Sequence, residues 1–308
     1  MVEADRPPAH RVSAFPYALL GGSQLAVGAA AIFARYALTG ALPLAVCAAR
    51  LVVASAVLLA IAAVRRNFTR VPATARERAI LIAAGIFLAL HFAGWVWSLE
   101  YTSVAVSTLL VTTTPIWTAL YDAVVRKHRL SPLAAGAFAA GAIGLALVVG
   151  FNHTTPPMPG HEKIGALLAL GGAFAIGAYW ILIREVRAQF STRTIVTRTY
   201  SWAALALTIG ALAAREPAPP LHDTIAWGGI LAMAILSQLL GHTAMNASLH
   251  WFSPSAIAFS TLFEPVIAAL LALLLFGESL AAPAILGGVL VLFAIGVVLR
   301  EEKLEYSI

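Results

Sequence analysis

Apolar residues in this chain come in long, nearly unbroken runs, and polar residues are confined to short connectors between them. Ten such runs follow one another, roughly 15–35, 39–64, 79–98, 104–125, 131–150, 163–183, 194–214, 224–249, 254–276 and 280–300. Each is close to the ~20 apolar residues that carry an α-helix across the hydrocarbon core of a bilayer. A helix that is apolar around its whole circumference belongs inside protein or lipid. The pattern predicts an all-α polytopic membrane protein of ten transmembrane helices. The polar, proline-bearing first fourteen residues precede a run with no small-residue cleavage site, so the first run reads as a spanning helix and not as a removed signal peptide.

The pattern is also written twice. Ser98–Ala119 reads SLEYTSVAVSTLLVTTTPIWTA and Ser248–Ala269 reads SLHWFSPSAIAFSTLFEPVIAA. Both share Ser-Leu, an aromatic two places on, a serine two places after that, and a proline twelve residues later, Pro115 and Pro265. Every matched position lies 150 residues from its mate. The same offset relates LLGG at Leu19–Gly22 to ALGG at Ala169–Gly172, and Arg65 to Arg215. Several matches at one offset indicate a duplication. The reading is a first five-helix repeat over 15–151, a second over 163–300, and the Pro-rich stretch 152–162 as an outer linker within one transmembrane domain. Five is odd, so the second copy enters the membrane upside down. Inverted repeats of this kind hold a substrate site near the bilayer midplane between the halves in many secondary transporters.

Charge fixes the orientation. Of the 20 Lys and Arg residues, 16 fall on the side of the termini, 3 (Arg35, Lys163, Arg215) on the other, and Arg50 lies inside a span. Cytoplasmic loops carry the excess of Lys and Arg, so both termini are expected in the cytoplasm, with the chain in the cell (inner) membrane. Only 11% of residues are charged, against about 25% in soluble domains. The net charge of +6 sits in connectors and not in a patch, which argues against a nucleic-acid partner. The single cysteine, Cys47, excludes an internal disulfide and any multi-cysteine metal site.

Several polar residues fall within the spans. Glu264 stands about ten residues into the ninth, or about 15 Å deep at 1.5 Å per residue. An ionised carboxylate there costs on the order of 3 kcal/mol. Pro265 is expected to free the carbonyl of Thr261. Glu264 is either a site for a substrate ammonium or proton, or a carboxylate held by an arginine or by hydroxyls. Its mate Thr114 lies at the same depth. Arg50, also near the midplane, either binds a substrate carboxylate, pairs with Glu264, or lines a vestibule; buried charges are usually paired, which favours a structural role. Asp122 with Arg126 one turn on reads as an ordinary interfacial pair. His91 and Trp95 share a face at i,i+4, and Gln238, His242 and Asn246 repeat that spacing as a polar stripe. Tyr179 and Trp180, with Gln24, are placed to complete a cavity with aromatic walls, while Trp95 and Trp180 read equally as cavity wall or as interfacial belt. Trp97, Trp227 and Trp251 read as interfacial belt residues. The hydroxyl run Ser107, Thr108, Thr112, Thr113, Thr114 and Thr118 is too long for one stripe, so part of it bonds along its own helix. Gly165, Ala169, Ala173 and Gly177, and likewise Gly136, Ala140 and Gly144, form faces for close helix contact.

With ten spans, a five-plus-five duplication and the phrase LEYTSVAVSTLLVTTTPIWTAL, the chain resembles the EamA family of the drug/metabolite transporter superfamily, from about Phe15 to Arg300. Within that family it looks like the YddG-type amino-acid exporters. The resemblance implies export or exchange of small metabolites, often amino acids, by alternating access, with no cofactor and with protons as a coupling ion in some members. One chain holds both halves, so a functional monomer is expected. Multidrug efflux is a weaker variant, because the related small multidrug-resistance proteins place a glutamate in their first span and Phe15–Arg35 has no acid. Nucleotide-sugar transport calls for more cavity cations than Arg50. An enzyme is disfavoured by the lack of a His-Glu-x-x-His or serine-elbow motif, and a channel needs a continuous polar path through several spans.

Overall fold

The computed structural model describes residues 14–64, 72, 74–125, 127, 131–150, 158–252, 257, 260, 261, 263–277 and 281–305, and its regular elements there are all helical. In chain order they are α1 (Phe15–Gly28), α2 (Ala30–Ala37), α3 (Pro43–Val64), α4 (Ala75–Tyr101), α5 (Val104–Val111), α6 (Thr114–Val124), α7 (Pro132–Gly150), α8 (Glu162–Val186), α9 (Thr192–Ala213) and α10 (Thr224–Ala232). A π-helix (Met233–His242), α11 (Thr243–Ser248), α12 (Phe263–Phe276) and α13 (Ala282–Glu305) complete the order. Seven continuous segments are long and apolar enough to cross a membrane: Phe15–Ala37, Pro43–Val64, Ala75–Tyr101, Val104–Val125, Glu162–Val186, Thr192–Ala213 and Thr224–Ser248. The other three expected spans fall in α7, α12 and α13, whose apolar stretches are shorter over the described residues.

Helix starts follow local chemistry. Thr74 caps α4 in a capping box: its hydroxyl accepts the Glu77 N–H at 3.1 Å while the Glu77 carboxylate accepts the Thr74 N–H at 3.0 Å. Ser103, Ser191 and Asp223 cap α5, α9 and α10 in the same sense, each side chain accepting a first-turn N–H. Outward faces carry large apolar side chains, such as Leu167 at 68% exposure, Leu274 at 69% and Phe293 at 63%. On a soluble protein this would be an aggregating surface; on these helices it is a lipid face.

The helices pair in a repeating scheme. α4 lies along α8, and the π-helix lies along α1; α5 packs on α8, and α12 packs on α1. α3 packs with α9, α5 with α12 and α7 with α13. Each of these contacts has its counterpart when the two halves are exchanged. Close approach is decided by small residues. A Cβ on Gly94 would stand 2.8 Å from the Leu168 carbonyl oxygen, and one on Gly172 would stand 3.2 Å from that of His91, so the α4 and α8 backbones touch where both residues are glycine. Gly165 meets Tyr101 and Ser98 of α4 in the same contact, Ala169 and Ala173 are buried on α8, and Gly144 abuts Gly287 of α13. Gly136 departs from the expected packing face: nothing lies within 4 Å of where its Cβ would be. The side chains of the Asp122–Arg126 pair lie outside the described residues.

Candidate functional site

Both proline-bearing spans are interrupted at matching places. α5 ends at Val111, Thr112 and Thr113 leave helical geometry with ψ near 6° and 4°, and α6 restarts at Thr114 with Pro115 in its first turn. Pro115 has no N–H to give the Val111 carbonyl. The Thr114 hydroxyl donates to that oxygen instead, at 3.0 Å, and reaches the Ala173 carbonyl at 3.4 Å. The Thr112 and Thr113 hydroxyls likewise bond back to Leu109 and Leu110.

In the second copy α12 starts at Phe263, with Glu264 and Pro265 in its first turn. The Thr261 carbonyl, expected to be free, accepts the Glu264 N–H at 2.9 Å, because a tightened turn supplies the donor that Pro265 lacks. The Glu264 carboxylate has no hydrogen bond or ion pair among the described residues, although its side chain is buried at 8% exposure.

Glu264 opens onto a cavity of about 660 Å³, the space at its mouth included. From the first half it is walled by Val27, Gly28, Ala30, Ala31, His91, Phe92, Trp95, Thr108, Val111, Thr112 and Thr114; from the second by Ile176, Trp180, His242, Met245, Thr261 and Glu264. Five pairs of these residues are 150 apart: Ala30 and Trp180, Phe92 and His242, Trp95 and Met245, Val111 and Thr261, Thr114 and Glu264. The cavity is therefore assembled from matching positions of the two repeats. His91 and Trp95 stack on one face with ring planes 9° apart, and His91 Nδ1 lies 3.0 Å from the Gly172 carbonyl oxygen across the α4–α8 contact.

The structure brings six of the ten expected site residues to the cavity: His91, Trp95, Thr114, Trp180, His242 and Glu264. The other four stand behind its wall. Gln24 donates to Ser260 at 2.9 Å and to Ser23 at 3.2 Å. Tyr179 donates to the Asn246 side-chain oxygen at 3.1 Å. Tyr179 and Trp180 are consecutive on one helix and so point about 100° apart; only Trp180 reaches the cavity. Gln238 faces Arg50. The expected stripe of Gln238, His242 and Asn246 does not line the cavity as a unit: His242 faces it, Gln238 faces Arg50 and Asn246 accepts from Tyr179, and Gln238 and His242 lie in a π-helix with i,i+5 bonding. π-helical turns occur frequently at functional sites.

Arg50 is fully buried at 0% exposure and makes no ion pair with Glu264. Its Nη2 donates to Gln238 Oε1 at 2.8 Å, and its guanidinium carbon lies 4.0 Å over the Phe92 ring. Of the readings open for Arg50, the pair with Glu264 is not formed: Arg50 runs to Gln238 and Phe92, while Glu264 lines the cavity. Phe92, Thr108, Met245 and Thr261 were not singled out from sequence as cavity positions, apart from Thr108 in the hydroxyl run. The 150-residue offset, applied to His242, Trp95 and Val111, points to Phe92, Met245 and Thr261.

The EamA-like transporter family profile matches residues 15–150 and again 163–300. No curated protein matches the chain. A solved structure titled only "Crystal structure of protein" is similar with a TM-score of 0.65, covering 96% of this chain and 100% of that chain at 16% identity, which shows a shared fold alone. With two family matches over nearly its whole length and apolar helices of spanning length, the chain belongs to the EamA-like transporter family of the drug/metabolite transporter superfamily and is an integral multi-pass membrane protein.

Proposed function

We propose that the chain is a secondary carrier that exports small metabolites, foremost amino acids, across the inner membrane by alternating access. In this reading ten spans form two inverted five-helix repeats, both termini are cytoplasmic, and a monomer suffices. The observation that carries the reading is the convergence of interrupted helices on one cavity. The break at Thr112–Thr113, the turn at Thr261 and the π-helix that ends at His242 all meet it. Non-helical backbone at membrane depth is tolerated only where it is buried in protein or lines a cavity, and substrate sites of inverted-repeat carriers are built from such discontinuous helices. The exchange symmetry of the helix contacts supports the same architecture.

Within the cavity, the unpaired Glu264 carboxylate takes the ammonium group of the cargo, or a proton in its absence. Trp95 and Trp180, with Met245 and Val111, offer apolar surface to a side chain. The resemblance to YddG-type exporters points to the same cargo.

The test is uptake into liposomes holding the purified protein, with a panel of labelled amino acids, unlabelled competitors, and Glu264→Gln measured with and without a pH gradient. The carrier reading expects uptake that saturates and is inhibited by excess cargo, with any pH dependence lost in the variant. Flux proportional to concentration at all levels would mark a channel; a folded protein that moves no amino acid would redirect the search to nucleosides, sugars and cations.

A further inference from the structure

Among the described residues, Arg50 is a cation with no anion. It projects from α3, and beyond its Nη2 contact to Gln238 its Nε and Nη1 groups have no hydrogen-bond partner. The Glu216 carboxylate accepts the backbone N–H of Ala45 at 2.8 Å, and no acid among the described residues pairs with the guanidinium. The Cys47 thiol donates to the Phe92 carbonyl at 3.3 Å, and the Tyr200 hydroxyl stands 3.4 Å from that of Thr243. An unpaired charge taken out of water is strongly unfavourable, so a guanidinium left this way is poised for a ligand that brings acceptors only. A carboxylate is that ligand, and its two oxygens match the guanidinium fork.

The position decides which carboxylate. The Phe92 ring, which lines the cavity, covers the guanidinium, and His242 meets the same ring edge-on at 5.4 Å between centroids. Gln238 and His242 both belong to the π-helix. Phe92 and His242 thus stand between the niche and the cavity that holds Glu264. We infer that the Arg50 niche, between α3 and the π-helix and behind Phe92, is the carboxylate subsite of the cavity, so that the cargo carries a carboxylate as well as an ammonium group. The assignment of the ligand as cargo rests on the carrier reading; the niche itself does not. The chemistry of a free monocarboxylate is the same, and the test separates the two sources.

The full-length protein in detergent is unfolded thermally in sodium acetate, propionate or benzoate, each against sodium chloride at equal ionic strength. Wild type and Glu264→Gln are expected to gain stability with saturating dependence on the carboxylate, and Arg50→Gln to gain none. Gln238→Glu supplies a carboxylate from within: it is expected to raise Tm without added anion and to ignore acetate, and it decides the matter alone if Arg50→Gln does not fold. In liposomes, the decarboxylated amine of whichever amino acid is carried is expected to compete roughly 30-fold more weakly or worse. Carboxylates that leave wild type unmoved, or that protect Arg50→Gln equally, overturn the inference. So does an amine that competes as well as its parent amino acid, an outcome that leaves the carrier standing. Protection through Arg50 with no amino acid carried keeps the carboxylate site, assigns it to free monocarboxylates and overturns the two-charge cargo.

Discussion

The two halves bring matching positions to one cavity and put different chemistry on them. Thr114 and Glu264 hold the same place in the repeat, each just before a proline and just after a break in its helix. In the first half the side chain mends the break, because the Thr114 hydroxyl takes the carbonyl that Pro115 orphans. In the second half the backbone mends it, through the Glu264 N–H and the Thr261 carbonyl, and the side chain is left over. The other pairs diverge the same way: Phe92 against His242, Trp95 against Met245, Val111 against Thr261, Ala30 against Trp180. The broken backbone comes in matching form from both copies, whereas the chemistry of the site comes from where the copies have parted. Two pores of the same geometry are not needed; one cavity with a defined polarity is.

The sharpest way to break the comparison is to erase its one charge. Glu264→Gln is expected to reduce initial uptake of ammonium-bearing cargo by roughly 30-fold or more, the cost of leaving a buried charge unmet, while Thr114→Ser leaves uptake near wild type. Exchanging the pair is expected not to restore uptake, because Thr114→Glu removes the hydroxyl that bonds the Val111 carbonyl. The shared scaffold is next. Gly172→Leu drives a side chain into the α4 backbone beside His91 and is expected to destabilise by about 1–3 kcal/mol or more, read as a fall in Tm and in folded yield. Thr114→Val removes the mending bond and leaves a buried carbonyl without a donor, costing about 1–3 kcal/mol; Thr114→Ser is expected to recover it. The smallest effect belongs to the connector side. The exposed ion pair of Arg76 with Glu185, 2.5 Å apart, is worth at most about 1 kcal/mol, so Arg76→Ala should barely move Tm.

Apolar runs and the 150-residue offset made the helices and the duplication legible, because both are properties of composition and spacing. Glu264, His242 and Trp95 were legible because polar or amphipathic groups deep in a span need a wet or occupied neighbour. Three things were hidden. The π-helix changes the winding under Gln238, His242 and Asn246, and no residue in MAILSQLLGH announces it. Which of two adjacent aromatics faces inward, Tyr179 or Trp180, depends on the rotation of α8, which is set by its Gly94–Gly172 contact with α4. And Arg50 reads as half of an ion pair until its side chain is seen to run to Gln238 and Phe92 instead. Each is a matter of direction around a helix axis, which an unbroken apolar run does not encode.

The central claim is that one cavity, built from paired positions, is served from both faces of the membrane. Cys47 is the chain's single cysteine and is buried, so a Cys47→Ser background permits one reporter at a time. Val111→Cys and Thr261→Cys place mated reporters on the cavity wall, to be challenged in oriented vesicles with a membrane-impermeant thiol reagent from either side. Alternating access predicts that each reporter is labelled from both faces, and that excess cargo slows both reactions. Labelling of both reporters from one face alone, with and without cargo, would contradict it.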